Sequence, residues 1–362
     1  MNRIKVGIIG AGNWAKYGHI PALKVLPQYE ITAVSIRQQR QADELGEQFG
    51  IPLRFSDASQ LIESSAVDLV VVLPPAPQHA GFVKAAIAAG KNVYSEWPLT
   101  TSTQESEELL LLASAKGVRH AVGLQRRLGP SARFVRDLIK DGYVGQVRSV
   151  RMHVSLPYFD EDRSPSLSWS IPKENFSHLL SIYTGHFGDL LSHVVASLKT
   201  VSALAVPQFP ELFLSATGER FPNENADEIV AIGTLDDGAI YSLQIEAGKR
   251  NNSGLQIDIT GMDGDLKICN PLSFQNKDDN FVEGAQGRKG IWSPLAIPKK
   301  YSLIDSSLDT SVLDLAQLYH SFAEGIIDAD LRAPDFRDAV KMHRFIDAIQ
   351  ESSDSGTLQT IR

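Results

Sequence analysis

Gly10-Ala11-Gly12-Asn13-Trp14-Ala15 follows directly on an apolar run at residues 4–9 and precedes a helical pattern at 20–26. Glycines at such a junction suit a dinucleotide. Gly10 permits the tight turn, Gly12 lets the backbone approach a pyrophosphate, and Ala15 is a small residue that packs helix on strand. The helix that follows offers unpaired N–H groups and a positive dipole end to phosphates. A plain strand-to-helix turn would also want glycines, and it is the position between strand and helix that favours the dinucleotide. At the end of the second strand, where NAD-binding chains carry an acid for the ribose hydroxyls, this chain has Ser35-Ile36-Arg37 and then Arg40. A hydroxyl beside guanidinium groups suits a 2′-phosphate, so NADP is favoured over NAD. The alternative is that both arginines only solvate the start of the next helix.

Oxidising a carbinol with a nicotinamide requires a group that takes the hydroxyl proton near the working pH, and histidine starts closest to that range. His186 lies in a helical pattern at 179–198, beside Gly185, and Asp189 at i+3 can face the same way and hydrogen-bond the imidazole. A helix histidine satisfied by its neighbours, with a structural or solvated aspartate, is the competing reading. Tyr158, Asp160, Trp169, His178, Tyr183 and His193 are further substrate-side candidates, although each type is more often structural.

These residues need a scaffold. Buried-strand patterns at 4–9, 31–36, 68–73, 92–95 and 119–122 alternate with helical patterns at 39–49, 80–89 and 103–116, the last opened by Ser102 and Glu105 at capping-box spacing. That alternation predicts a doubly wound parallel sheet. Such sheets bind ligands beyond the carboxyl ends of their strands, which puts Pro74, His79, Glu96-Trp97-Pro98 and Gln125 on the same rim as the glycine turn. Trp97 could stack on a sugar or a nicotinamide, or simply pack between domains. Trp14 could cover the pyrophosphate or adenine ribose, or pack its helix. After a helix at 130–141 and a strand at 146–154 the rhythm changes. A polar stretch at 157–175 and a long helix at 179–198 lead to period-two strands at 228–235, 239–245, 255–260 and 266–268, with Asp236-Asp237-Gly238 marking a hairpin. Residues 271–298 read as a long loop, and helices at 312–327 and 336–350 close the chain. The fold class is α/β, with a Rossmann domain at 1–125 and an α+β domain with a mostly antiparallel open sheet at 126–362.

Composition narrows the partners. The chain has 362 residues, 43% of them hydrophobic, enough apolar material for two cores. A net charge of −8 and no lysine or arginine run longer than a pair such as Arg126-Arg127 argue for a small-molecule substrate, against nucleic acid and against a membrane. Cys269 is the single cysteine, so there is no intrachain disulfide, and neither a metal-spaced nor a nucleophilic Cys/His pattern occurs. With no signal-peptide apolar region at the start, the expected location is the cytoplasm.

Five segments carry a family resemblance: Gly10-Ala11-Gly12-Asn13-Trp14; Pro74 and His79; residues 89–99, ending Glu96-Trp97-Pro98-Leu99; Gly123-Leu124-Gln125-Arg126-Arg127; and Gly185-His186-Phe187-Gly188-Asp189. Their order resembles the glucose–fructose oxidoreductase, inositol dehydrogenase and rhizopine-catabolism family (Gfo/Idh/MocA) over nearly the whole chain. The resemblance implies a Rossmann domain for NAD or NADP, with Asn13, His79 and Gln125 near the cofactor. It also implies a second domain whose open sheet often forms a homodimer or homotetramer interface. His186 is implied as the proton-transfer residue and Glu96 as an orienting one. The family's usual Glu-Lys-Pro uses its lysine for the hydroxyl proton; Trp97 stands there, and an indole N–H is only a donor. The aspartate usual four residues before the histidine is Ile182. Glu96-Trp97-Pro98, Thr184-Gly185-His186 and residues 257–267 resemble the branch containing the fungal galactose-regulon repressor, a regulator that binds NAD(P). Two functions follow as expectations: an NAD(P)-dependent oxidoreductase acting on a sugar, polyol or related cyclic alcohol, or a catalytically silent dinucleotide-binding regulator. A third is redox-assisted elimination or epimerisation with no net cofactor turnover.

Overall fold

Strand β1 (Ile4–Ile9) has Val6 and Ile8 wholly buried, and it sits in the middle of a parallel sheet because both of its faces are covered. The computed structural model of the chain describes residues 3–251, 254–271, 280–304, 307–325 and 331–362. With β2 (Tyr29–Ser35), β3 (Leu53–Phe55), β4 (Leu69–Val72), β5 (Asn92–Ser95) and β6 (His120–Val122), β1 makes a six-stranded sheet in the order β3-β2-β1-β4-β5-β6. The order reverses between β1 and β4, the switch point where doubly wound sheets open a ligand crevice. Crossovers are α1 (Ile20–Lys24), α2 (Gln39–Phe49), α3 (Ala58–Glu63), α4 (His79–Ala88) and α5 (Thr103–Lys116). Ser102 caps α5 as its spacing predicts, accepting from the Glu105 N–H. Asp57 caps α3 in the same manner. The sequence does not foresee β3 and α3: Leu53-Arg54-Phe55 is half-buried throughout and, at 3 residues, too short for a period to mark it. The expected helix at 20–26 ends at Lys24 and is entered through a π turn, Ala15–His19.

The second compact unit holds α6 (Pro130–Lys140), β7 (Val147–Ser155), β8 (Asp162–Arg163) and α7 (Leu179–Val194), the last ending before the expected Leu198. Strands β9 (Thr200–Val206), β10 (Glu211–Leu214), β11 (Arg220–Pro222), β12 (Glu228–Thr234), β13 (Ile240–Glu246), β14 (Gly254–Gly261), β15 (Gly264–Asn270), β16 (Phe281–Gln286) and β17 (Ser293–Pro294) follow. Together with β18 (Gln359–Thr360) they form a nine-stranded sheet ordered β17-β16-β15-β14-β7-β13-β12-β9-β18, plus a three-stranded one, β11-β10-β8. The large sheet is antiparallel except where β13 runs parallel to β7. Gly238, at φ +90°, turns β12 into β13 as the Asp-Gly pair predicts. Alternation leaves Val150, Met152, Leu243 and Ile245 buried on one face and Arg151, Val230, Ile232 and Ile240 on the open one. The long loop expected at 271–298 is corrected in part: β16 pairs with β15 there, and residues 272–279 lie outside the described residues.

The chain then returns. Leu303–Val340 belongs to the first unit with Met1–Leu128, and the second unit is Gly129–Ser302 with Lys341–Arg362. The division is therefore not the single cut at residue 125 that the sequence suggests. Helix α8 (Thr310–Glu324) sinks Leu315, Leu318, Tyr319 and Phe322 into the cluster built on Val6, Ile8 and Leu23, an assignment that amphipathic periodicity does not encode. Residues 326–327 of the expected helix lie outside the described residues. Helix α9 runs Phe336–Ser355, longer than expected. Gly188 of α7 lies against it so closely that a Cβ would stand 2.8 Å from the Phe345 ring.

Two buried histidines make the second unit sensitive to acid. Burial pulls His178 down to about 4 and His343, stacked on Phe176 at 5.2 Å, down to about 3. Unfolding returns each toward the free value of about 6.5, so the unfolded chain binds more protons below that pH. The stability these neutral rings contribute is complete above about pH 6.5 and is lost as pH falls toward their folded values. Thermal unfolding from pH 7.5 to 4.5 should show a shallower acid-side loss for His343→Phe than for the wild type; identical profiles would refute it.

Candidate functional site

The crevice at the switch point is built by a glycine that must be glycine. Gly10 has φ +92°, and a Cβ on it would stand 3.2 Å from the Pro74 nitrogen. Its N–H donates to the Ser35 carbonyl at 3.0 Å, which ties together the carboxyl ends of β1, β2 and β4. Gly12 has another role: no atom lies within 4 Å of its would-be Cβ, and Gly12 and Asn13 are exposed. The backbone at the start of the first helix is thus open for a pyrophosphate to approach. Gln125, buried on a 3-10 turn after β6, has an Oε1 with no hydrogen-bond partner among the described residues. An open glycine backbone and an unsatisfied amide on one rim fit a dinucleotide.

Behind that rim sits a cluster that the sequence does not reveal. Glu96 Oε1 accepts from Trp14 Nε1 (3.3 Å), His19 Nε2 (2.7 Å) and Tyr94 Oη (2.7 Å). His19 Nδ1 lies 2.7 Å from Tyr319 Oη of α8. With a proton on Nε2, His19 donates to the carboxylate, and its Nδ1 can accept from the phenol. Burial first, and the Glu96 charge second, push the Tyr94 and Tyr319 phenols well above their ordinary value, so both remain donors. The π turn brings His19 inward, and such bulges concentrate at functional sites. Gly123 makes room, since a Cβ there would come within 2.8 Å of Tyr94 Oη. One signal was available: Tyr94 and Glu96 are two residues apart on a strand end and so share a face. His19 and Tyr319 had none, because their pairing spans most of the chain.

His79 is a buried clamp rather than a surface residue, with Nδ1 2.8 Å from the Pro98 carbonyl and Nε2 2.6 Å from that of Pro74. Burial pulls its pKa down against those carbonyls. Trp97, joined to Pro98 by a cis peptide, is buried. Ser35 is buried and Arg37 exposed. Arg40, with its side chain 89% exposed, pairs with Glu44 at i+4, as expected for an arginine that serves its own helix. Arg127 pairs with Asp338 at 3.3 Å. Burial alone would raise Asp338, but Arg127 and Arg332 hold it well below the usual carboxylate range.

His186 and Asp189 lie in the second unit, on α7, 6% and 1% exposed. Their i, i+3 spacing puts them on one face. The structure gathers Gly10, Gly12, Ser35, Pro74, His79, Glu96 and Gln125 in the first unit. Of the other substrate-side candidates, His178 begins α7 with its N–H donating to Ser181 Oγ, and His193 lies against Arg136. In the approach to α7, Phe159 and Phe176 adopt left-handed backbone (φ +59° and +48°), and Phe159 meets Tyr183 edge-on at 5.6 Å. No group of three or more His, Cys, Asp or Glu able to hold a metal occurs among the described residues. Nor does any helix among them have the length and apolarity to cross a membrane.

Comparison with known proteins agrees with this geometry. Residues 4–124 match the oxidoreductase family with an NAD-binding Rossmann fold, and residues 130–270 match the Gal80p C-terminal domain. The Rossmann domain thus belongs to the Gfo/Idh/MocA oxidoreductase family, and the domain after it is similar to that of Gal80p. Its relatives include the dehydrogenase aclE of Aspergillus oryzae, 26% identical over 99% of each chain. The galactose/lactose metabolism regulatory protein GAL80 of Saccharomyces cerevisiae is 27% identical, over 88% of this chain and 78% of that protein. A levoglucosan dehydrogenase solved with NADH and levoglucosan shares the fold, with a TM-score of 0.85 at 20% identity over 99% of this chain and 100% of that one. An oxidoreductase fold that binds NAD is common ground; dehydrogenases and regulators both occur within it.

Replacing Glu96 should expose how much the cluster carries. Glu96→Gln keeps the shape but turns half of the acceptor into a donor facing donors, which should cost about 1–3 kcal/mol of stability. Chemical denaturation of the two proteins measures it, and an unchanged midpoint would show that the convergence on Glu96 carries no stability.

Proposed function

We propose that the protein is an NAD(P)-dependent oxidoreductase that oxidises or reduces a CH–OH group of a sugar, polyol or related cyclic alcohol. What supports this reading is a dinucleotide rim in the first unit and, within the second, a buried His186 one helical turn from a buried Asp189. When bound, the nicotinamide supplies the hydride acceptor. His186 takes the hydroxyl proton on an imidazole nitrogen, and Asp189 holds the ring and favours its charged form. Glu96, engaged by three donors on one oxygen, positions the loop after β5 rather than moving a proton. Trp97 supplies no proton acceptor. NADP is favoured, since Ser35 and the exposed Arg37 stand where an acid would exclude a 2′-phosphate, while the Arg40–Glu44 pair lessens the part of Arg40. The exposed Val230, Ile232 and Ile240 on the open sheet support a homodimer or homotetramer, and the setting is the cytoplasm.

A second reading, a catalytically silent NAD(P)-binding regulator, draws on Trp97 in place of the family lysine and on the likeness to GAL80. Fluorescence titration with NADPH and NADH, followed by turnover against a panel of sugars and polyols, separates the two. The oxidoreductase reading expects turnover, with His186→Asn lowering kcat by about 10²–10⁴ and leaving dinucleotide affinity in place. Tight binding without turnover of any substrate would hand the site to the regulator. Arg37→Ala should weaken NADPH far more than NADH; equal weakening would show that Arg37 does not read the phosphate.

A further inference from the structure

Arg163 ends β8 with a side chain only 4% exposed, yet its Nε and Nη1 have no hydrogen-bond partner among the described residues. Its nearest carboxylate, Asp160 Oδ1, is 3.9 Å from Nη1, an ion-pair distance but too long for a hydrogen bond. Burial pulls the guanidinium pKa down, against Asp160, Asp227, Asp162 and Glu161. Those acids are largely engaged elsewhere. Asp227 accepts from the N–H groups of Gln208 and Phe209 and from Asn223, while Arg250 takes Glu161 at 2.6 Å and Asp160 Oδ2 at 3.4 Å. A buried charged donor without hydrogen bonds to the protein is costly unless another group supplies the acceptors.

The placement of this fork is specific. Its central carbon lies 5.3 Å from the centroid of the Phe159 ring, on the residue held in left-handed backbone, and Phe159 in turn meets Tyr183 of α7. Tyr183 stands one turn before His186 on the same helix. The segment is also stitched down: Gly248 donates to the Tyr158 carbonyl at 2.8 Å, and a Cβ on Gly248 would press within 2.9 Å of the Asp160 Cβ. The site therefore has a pre-positioned donor fork, a nearby acceptor in Asp160 and an aromatic face, and it reaches the helix that bears the proposed proton-transfer residue.

We propose that Arg163 is a substrate-recognition residue whose guanidinium donates to adjacent hydroxyl oxygens of a neutral sugar or polyol, with Asp160 accepting from one of those hydroxyls. Neutrality follows from the surroundings, where carboxylates outnumber guanidinium groups and would repel an acidic sugar. With no hydrogen bond formed to Asp160, the fork can turn to a ligand without breaking one. Mixed donors and acceptors beside an aromatic ring are what a polyhydroxylated ligand requires, its C–H faces lying on the ring and its hydroxyls on the polar groups.

This inference rests on the polyol reading above, and its test does not depend on turnover. The dinucleotide-loaded protein is titrated calorimetrically with levoglucosan, myo-inositol and D-galactose, and with D-glucuronate as the charged comparison. The wild type should bind at least one neutral compound more tightly than glucuronate. Arg163→Met should weaken that compound by about tenfold or more, as the loss of charge-assisted bonds requires, with Arg163→Lys intermediate and NADPH affinity unchanged. A purely structural role would lower the melting temperature without this selective loss. Asp160→Asn, at a more exposed position, gives the same direction of change with less risk to folding, and it decides the matter if Arg163→Met does not fold. Wild-type affinity in both variants, or a preference for glucuronate, overturns the proposal. Binding with this dependence but no turnover leaves it standing and removes the oxidoreductase reading instead. No binding of any neutral compound overturns both.

Discussion

One carboxylate oxygen organises the first unit. Glu96 Oε1 gathers the indole of Trp14, the imidazole of His19 and the phenol of Tyr94, and through His19 it reaches Tyr319 on the returning helix α8. Three donors converging on one acceptor in a buried setting are favourable only if all are in place, since each lost partner leaves a desolvated polar group. The loop after β5, the first helix and α8 are therefore fixed against one another. The π turn at Ala15–His19 is part of the same requirement, because it carries His19 to the interior side of a helix whose start must stay open.

That arrangement assigns different work to neighbouring residues. Gly10 serves the fold, being confined by Pro74, whereas Gly12 has open space above it. Glu96 and His79 hold loops: one gathers side-chain donors and the other bridges the Pro74 and Pro98 carbonyls. Trp97, beside them, has no proton acceptor to offer. In the second unit His186 and Asp189 share a helix face and are both buried.

Regular elements were the legible part. Alternating buried runs marked β1 and β5 to the residue, Ser102 marked the start of α5, and Asp237-Gly238 marked the β12–β13 hairpin. Elements without local signal escaped: β3 is half-buried, and β16 lies in a stretch rich in glycine and charge whose strand is stabilised by pairing with β15. The glycine turn between β1 and the first helix was legible through motif position, and the Glu96 cluster was not, because Glu96 meets His19 across 77 residues and His19 meets Tyr319 across 300.

By itself the sequence determined the doubly wound first domain, the glycine turn at its switch point, the antiparallel character of the second domain and the absence of a lysine at position 97. All of these follow from periodicity, turn chemistry or the identity of one residue, properties read within a few neighbours along the chain. Only the tertiary structure decided that α8 completes the first core, that His79 is a buried clamp and that three donors converge on Glu96 Oε1. It also left Arg163 buried with unpaired N–H groups. The physical reason is that burial and hydrogen-bond satisfaction depend on which distant segments meet, and a single position does not record its partners.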